Sequence, residues 1–361
     1  MASTPLNGAA TAVGGAPGAT GGDDILSKIH DALNVVHSPY STNQSRQEAQ
    51  AFLEDVKTLP EAPSHGFTLA SNKSHSPILR HYGLSLLEHA VRHKWSEYNQ
   101  GQAEYLRGWV LQLAQAVSRE DPVYVRSKVS QLWVEVAARC WAAEWMDMDD
   151  LLVQMWQVPD SPVHKELVLQ ILETLSEEVF TGDDSVIAMR ETALSKACVE
   201  IFTPASVLVE TFPNRQVGPV VRSGHEGWLQ RVCQLLHDCL SGDIQNNEDI
   251  RACAVRALEV CYSVMPWAIP KALSATGCVT TICNALAANH VSVQKVCYVL
   301  FYILSLHGPT PINNNQRLPW KHSMPFIHEL ASPTKSFLIW FYPCTTPSSP
   351  TYLEGYLSGP Q

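Results

Sequence analysis

Apolar residues recur at steps of three and four along most of the chain, and residues 77–95 show the pattern most clearly. There Ile78, Leu79, Tyr82, Leu86, Leu87, Ala90, Val91 and Trp95 form one stripe, while Arg80, Ser85, Glu88 and Arg92 fall on the opposite side. Ser76 is placed to cap this helix, and Pro77 stands at its first position, where a missing N–H costs nothing. One broad apolar stripe is not stable alone; it requires neighbours of the same kind.

The rest of the chain supplies them. The pattern predicts helices over 23–36 and 42–59, a short one near 66–72, then 77–95, 102–117, 123–141, 148–158 and 163–180. Residues 184–242 read as a less regular helical stretch broken at Pro204 and Pro213, with a Gly/Pro/Arg/Ser loop before a helix at 228–240. Helices at 247–264, 277–288 and 290–306 complete the series. No run of period-two alternation is long enough to predict a strand.

Paired helices joined by short Pro- and Asp-rich turns suggest a repeat. The second helix of each pair opens on an apolar residue followed by a basic or polar one, at Leu79-Arg80, Val125-Arg126, Ile250-Arg251 and Val293-Gln294. His164-Lys165 occupies the corresponding place. With one less regular unit allowed between 165 and 250, the spacing is about 43 residues. Asp-Pro-x-x-Val-Arg at 121–126 and Glu-Asp-Ile-Arg at 248–251 are openings of the HEAT type. The expected fold is therefore all-α, a HEAT-like solenoid (an α-α superhelix) of about six to seven repeats, with a compact helical bundle as the alternative.

Composition narrows the function classes. An apolar fraction of 45% over 361 residues is enough to build a core, and a formal charge of -10 argues against binding nucleic acid over the whole surface. Ten cysteines without a CxxC pair read as reduced core thiols. Residues 1–22, rich in Ala, Gly, Thr and Pro, lack a secretory pattern and are expected to be a disordered leader. The longest apolar run, 296–306, is about half of the roughly 20 residues a membrane helix needs, so no membrane insertion is expected.

Candidate chemistry is sparse. His89 and His93 lie one turn apart, but no third ligand and no His-Glu-x-x-His accompany them, so they read as surface histidines. Phosphate-loop, nucleophile-elbow and dinucleotide fingerprints are absent. Cys278 and Cys283 lack an activating motif, and Trp133, Trp141, Trp145 and Trp156 read as packing residues rather than base-stacking platforms. No catalytic residue, cofactor or metal is expected, and the chain does not read as an enzyme.

Three stretches resemble a known family. Ile-Leu-Arg-His-Tyr-Gly-Leu-Ser-Leu-Leu-Glu-His-Ala-Val-Arg-His-Lys-Trp at 78–95 is similar to the second-repeat helix of exportin-five-type receptors in the importin-β (karyopherin-β) superfamily. Arg139-Cys-Trp-Ala-Ala-Glu-Trp-Met-Asp-Met148 resembles that family's Trp-x-x-x-Trp segment, and Leu167 to Phe180 resembles the helix that follows. The resemblance implies a nuclear export receptor, or a portion of one, that shuttles between nucleus and cytoplasm. The partners it implies are Ran-GTP on the amino-terminal repeats, nuclear pore proteins, and a cargo of protein, phosphorylated protein included, or structured RNA. A HEAT scaffold without Ran dependence is the alternative function. Helical geometry and family location together nominate Arg80, Ser85, Glu88, Arg92, Lys128, Gln131, Glu135 and Arg139 as Ran contacts.

The domain organisation expected is a leader at 1–22, a solenoid at 23–306 with importin-β amino-terminal-like and exportin-like regions, and an irregular tail at 307–361. The tail carries Gly-Pro-Thr-Pro-Ile-Asn-Asn-Asn and the run Phe337-Leu-Ile-Trp-Phe-Tyr342, which do not resemble a HEAT unit. Receptors of this superfamily have many more repeats, so the resemblance implies an amino-terminal portion. A stripe from Val293 to Leu306 without a following repeat is expected to be exposed and prone to association.

Overall fold

Ser76 Oγ accepts a hydrogen bond from the Leu79 N–H at 3.3 Å and Pro77 lies in the first turn, so the organising helix starts where the sequence places it. The protein is described here by a computed structural model that covers residues 19–214, 220–288 and 290–306. The helix is α4 (Pro77–Lys94), preceded by α1 (Ala19–His37), α2 (Asn43–Thr58) and α3 (Ala62–Ser71). After it come α5 (Gln100–Gln115), α6 (Val123–Cys140), α7 (Met148–Trp156), α8 (Pro162–Phe180), α9 (Ser185–Phe202) and α10 (Ala205–Thr211). The series closes with α11 (Trp228–Ser241), α12 (Glu248–Val264), α13 (Pro270–Ala275), α14 (Cys278–Leu286) and α15 (Val291–Leu306). No strand occurs among the described residues.

Three boundaries depart from expectation. The first helix begins at Ala19, inside the segment expected to be a disordered leader, four residues before the expected start at 23. The third begins at Ala62 rather than near Gly66, because Pro63 falls in a first turn, where its missing N–H is no loss. The short α13 was not expected; Pro270 opens it and Gly277, in the left-handed region at φ +65°, separates it from α14. Residues 1–18 and the tail from 307 lie outside the described residues.

The helices pair as antiparallel hairpins, α1 with α2, α3 with α4, α5 with α6, α7 with α8, α11 with α12 and α14 with α15. The second helices of successive pairs stack side by side in the order α4, α6, α8, α12, α15. This is an all-α, HEAT-like solenoid. The extra unit that spacing assigns between α8 and α12 does not enter the stack. Instead α12 packs directly on α8, and α9 leaves the row to pack on α6, α8 and α11.

A stacked helix has neighbours on three sides, and α4 shows the effect. Leu79, Tyr82 and Leu86 join Ile29, Leu33, Leu53 and Val56 in the core of the first hairpins, while Leu84, Leu87 and Val91 join the large core running on to Val293 and Cys297. Burial of Leu86 and Leu87 stabilises by about 1.5–3 kcal/mol each. Two expectations for this helix fail. Ile78 is 41% exposed, and Arg80 is buried rather than solvated. Val293 and Cys297 are likewise buried, by α14 and α12; the stripe beyond Tyr298 has no described side chains.

The tryptophans pack as the sequence implies. Trp133, Trp141 and Trp145 are fully buried, with the Trp133 and Trp145 rings 4.9 Å apart, and Trp156 meets Trp228 edge-on at 5.5 Å. The nine described cysteines are free thiols, eight of them buried. No single described helix is long and apolar enough to cross a membrane.

Candidate partner-binding surface

The polar faces of α4, α6, α8 and α12 meet along the stack as a ladder of ion pairs. Glu88 on α4 pairs with Lys128 on α6, and Lys128 also donates to Gln131 Oε1 at 3.3 Å. One turn further on, Arg92 Nε donates to Glu135 Oε1 at 2.6 Å, and Arg139 Nη1 donates to Glu135 Oε2 at 2.8 Å. Between α6 and α8, Arg126 Nη1 reaches Glu166 at 2.8 Å and Gln170 Nε2 donates to Ser127 Oγ at 2.8 Å. Between α8 and α12, Arg256 Nη1 lies 2.8 Å from Glu173 and 2.9 Å from Glu259.

Of the eight nominated residues, Arg92 alone is exposed. Ser85, Glu88, Lys128, Gln131 and Arg139 are half-buried, and Arg80 and Glu135 are buried. The structure joins Glu88, Arg92, Lys128, Gln131, Glu135 and Arg139 into one network. Ser85 stands apart, its hydroxyl donating to the His81 carbonyl one turn back at 3.0 Å.

Arg80 belongs to a different construction. Its Nε donates to the Ala70 carbonyl at 3.1 Å, and its guanidinium pairs with Asp121, which is also held by Lys73 at 2.5 Å and by the Ser118 N–H at 2.8 Å. Burial alone would raise the Asp121 carboxyl, but the hydrogen bonds from Lys73, Arg80 and Ser118 outweigh it and hold the group below its usual range. This clamp ties the end of α3 to the turn before α6. A helix whose flanks are both packed leaves little polar face, and Arg80 falls outside what remains.

The electrostatics follow from the pairing. The hydrogen bond that Arg92 donates to Glu135 raises the Arg92 guanidinium despite partial burial. Burial, followed by the nearby Glu135, raises the Glu178 carboxyl, and burial with Glu173 and Glu178 raises Glu177. Carboxylates outnumber cations towards α8 and α12, where Glu166, Glu173, Glu177 and Glu259 gather around Arg256. These α8 and α12 residues were missed by reading the chain one helix at a time. A search for opposite charges one repeat apart would have found Glu88 with Lys128 and Arg126 with Glu166.

The histidine pair does not join this surface as a ligand set. The His89 and His93 rings lie 4.7 Å apart, and burial with the charges of His93, Lys57 and Lys94 lowers the His89 imidazole.

Of the helices that carry the ladder, α4, α6 and α8 lie within two family models, and α12 lies beyond both. Residues 49–116 match the importin-beta N-terminal domain, and residues 122–202 match the exportin 1-like protein family. Among individual proteins, Protein MSN5 of Saccharomyces cerevisiae is 32% identical over 292 residues, 77% of this chain and 23% of that protein. Exportin-5 of Mus musculus is 33% identical over 154 residues, 42% of this chain and 12% of its own length. Exportin-5 of Dictyostelium discoideum is 29% identical over 163 residues, 45% of this chain and 14% of its own. The chain spans less than a quarter of the length of these relatives.

Proposed function

On the premise that the chain belongs to the importin-β superfamily, as a member of its exportin-5 type, we propose that it serves nuclear export by binding Ran in its GTP state through the polar faces of α4 and α6. The observation that carries this reading is that the two family matches, 49–116 and 122–202, contain α4, α6 and α8, the first three helices of the ladder. Export then places the protein in both nucleus and cytoplasm, with passage through the pore in company with nuclear pore proteins.

The ladder changes how such binding works. A partner does not meet a row of free charges; it meets pairs whose outer edges, above all Arg92, remain open to exchange. Each pair already satisfies its members, so a partner gains affinity by adding to the network at its rim, where charges set orientation and association rate. A solenoid whose repeats touch only their neighbours changes curvature at small cost, which lets Ran and a cargo favour one shape together.

Cargo is protein, phosphorylated protein or structured RNA, and the acid-rich part of the ladder bears on the choice. Phosphate groups on α8 and α12 would meet Glu173, Glu177 and Glu259. A basic protein surface fits this stretch, and phosphate-bearing cargo would have to sit elsewhere.

The test is biolayer interferometry of the full chain against Ran loaded with a non-hydrolysable GTP analogue or with GDP. The GTP form should bind preferentially. A double charge swap, Glu88→Lys with Lys128→Glu, preserves the internal pair but inverts what it displays. It should leave helicity unchanged and weaken Ran-GTP binding about tenfold, or about 1.4 kcal/mol. Equal, weak binding to both forms by a folded chain would favour the HEAT scaffold instead.

A further inference from the structure

Three cysteines far apart in sequence converge where α11, α12 and α14 meet. Cys233, Cys261 and Cys278 have Sγ atoms within 4.8 Å of one another, and the residues are 3%, 1% and 0% exposed. Among the described residues, no other group of three metal-type donors comes together in this way. Core packing alone needs no such convergence. We propose that this trio is a three-thiolate site for a single thiophilic d¹⁰ cation, Zn²⁺ or Cu⁺, that joins the last two hairpins of the described solenoid.

The geometry suits such an ion. Three ligands at bonds of roughly 2.3 Å around a planar three-coordinate centre place their sulfurs about 4 Å apart, within the observed spacing. Thiolate ligands select soft cations over Mg²⁺ or Ca²⁺. The surroundings also favour thiolate. Cys278 is the first residue of the nine-residue α14, where the backbone N–H groups and the helix dipole stabilise negative charge. A cation at the centre of the trio takes the place of the thiol protons.

The exchange balances. Zn²⁺ plus three thiols gives a three-thiolate complex of charge minus one and three released protons. Cu⁺ gives charge minus two and the same three protons. The lower buried charge favours Zn²⁺, whereas a three-coordinate, closed site favours Cu⁺. No redox step is involved, and both arms need measuring.

The full 361-residue chain would be purified under anaerobic reducing conditions from cells supplied with zinc or with copper, and its metal measured by mass spectrometry after gel filtration. A parallel sample would be refolded with Co²⁺. The expected results are one equivalent of zinc or copper per folded chain, release of up to three protons on titration, and thiolate-to-cobalt charge-transfer absorption. Cys233→Ser should lose the metal and Cys283→Ser should keep it. Wild-type chain that is folded and reduced yet holds no stoichiometric metal in either arm overturns the proposal, whether or not the variants fold. So does equal loading of Cys233→Ser.

Discussion

Asp149 is 2% exposed and accepts hydrogen bonds from the Ser223 N–H at 2.6 Å and the Trp228 indole N–H at 2.5 Å. Burial nevertheless dominates and lifts its carboxyl to about 6, against an unfolded value of about 3.9. The folded chain therefore holds this proton more tightly than the unfolded chain. The stability it contributes is complete below about pH 4 and is lost as the pH rises through about 6, a change of roughly 3 kcal/mol. Asp149→Asn cannot ionise and keeps an acceptor for Trp228. Relative to wild type it should gain about 2 kcal/mol between about pH 4 and pH 7, read from thermal midpoints by circular dichroism. A parallel pH dependence in the two chains would exclude the effect. Neither this carboxyl nor the Arg80 clamp was legible in the sequence, because each depends on distant partners: Ser223 and Trp228 for Asp149, Asp121 for Arg80. The charged positions Glu88, Lys128 and Glu135 were legible as a shared face of α4 and α6, but their pairing across helices was not.

At the scale of elements, the α3–α4 hairpin owes its closeness to two glycines. A Cβ built on Gly83 would lie 2.6 Å from the Gly66 carbonyl oxygen and 2.8 Å from the Ala70 nitrogen, and one on Gly66 would lie 2.7 Å from the Gly83 oxygen. Both contacts are with backbone, so a methyl group must force the helices apart. Gly83→Ala should cost about 1–3 kcal/mol. Gly108, within α5, has nothing within 4 Å of a built Cβ, so Gly108→Ala should stabilise by about 0.5–1 kcal/mol through helix propensity. Urea midpoints that move in the same direction for the two variants would count against this packing. Helix positions were legible because stripes and caps are local: the Ser76 cap, the Pro204 break and the Cys140 end of α6 fall within a residue or two of expectation. The starts of α1 and α3 were not, since Pro63 and the Gly-rich segment before Asp23 carry signals that also mark loops.

Across the whole molecule, the junction between α8 and α12 replaces the regular step of the repeat. Spacing alone inserted a unit there, because a sequence period counts residues and cannot tell a stacked hairpin from an excursion such as α9 and α10. The junction has its own fastening. Trp267 Nε1 donates to Ser176 Oγ at 2.8 Å, Ser176 Oγ donates to the Ser263 carbonyl at 2.9 Å, and the Trp267 ring stacks on Phe180 at 4.2 Å. Ser176 is fully buried, so its two bonds are made without competition from water. In a solenoid, stability is a sum of repeat terms and nearest-neighbour interface terms, so weakening one interface uncouples the parts on either side rather than lowering the whole. Trp267 is half-buried, and Trp267→Ala should weaken the junction by about 2 kcal/mol, below the ~3–5 kcal/mol typical of a fully buried tryptophan. Ser176→Ala, which removes both hydrogen bonds without opening a large space, should cost about 1–2 kcal/mol. In both variants hydrogen exchange should accelerate in α11, α12 and α14 while the amides of α3 to α6 keep their protection. Uniform acceleration from α3 to α14 would mean that the chain unfolds as one unit and that the junction is no weaker a link than the regular steps.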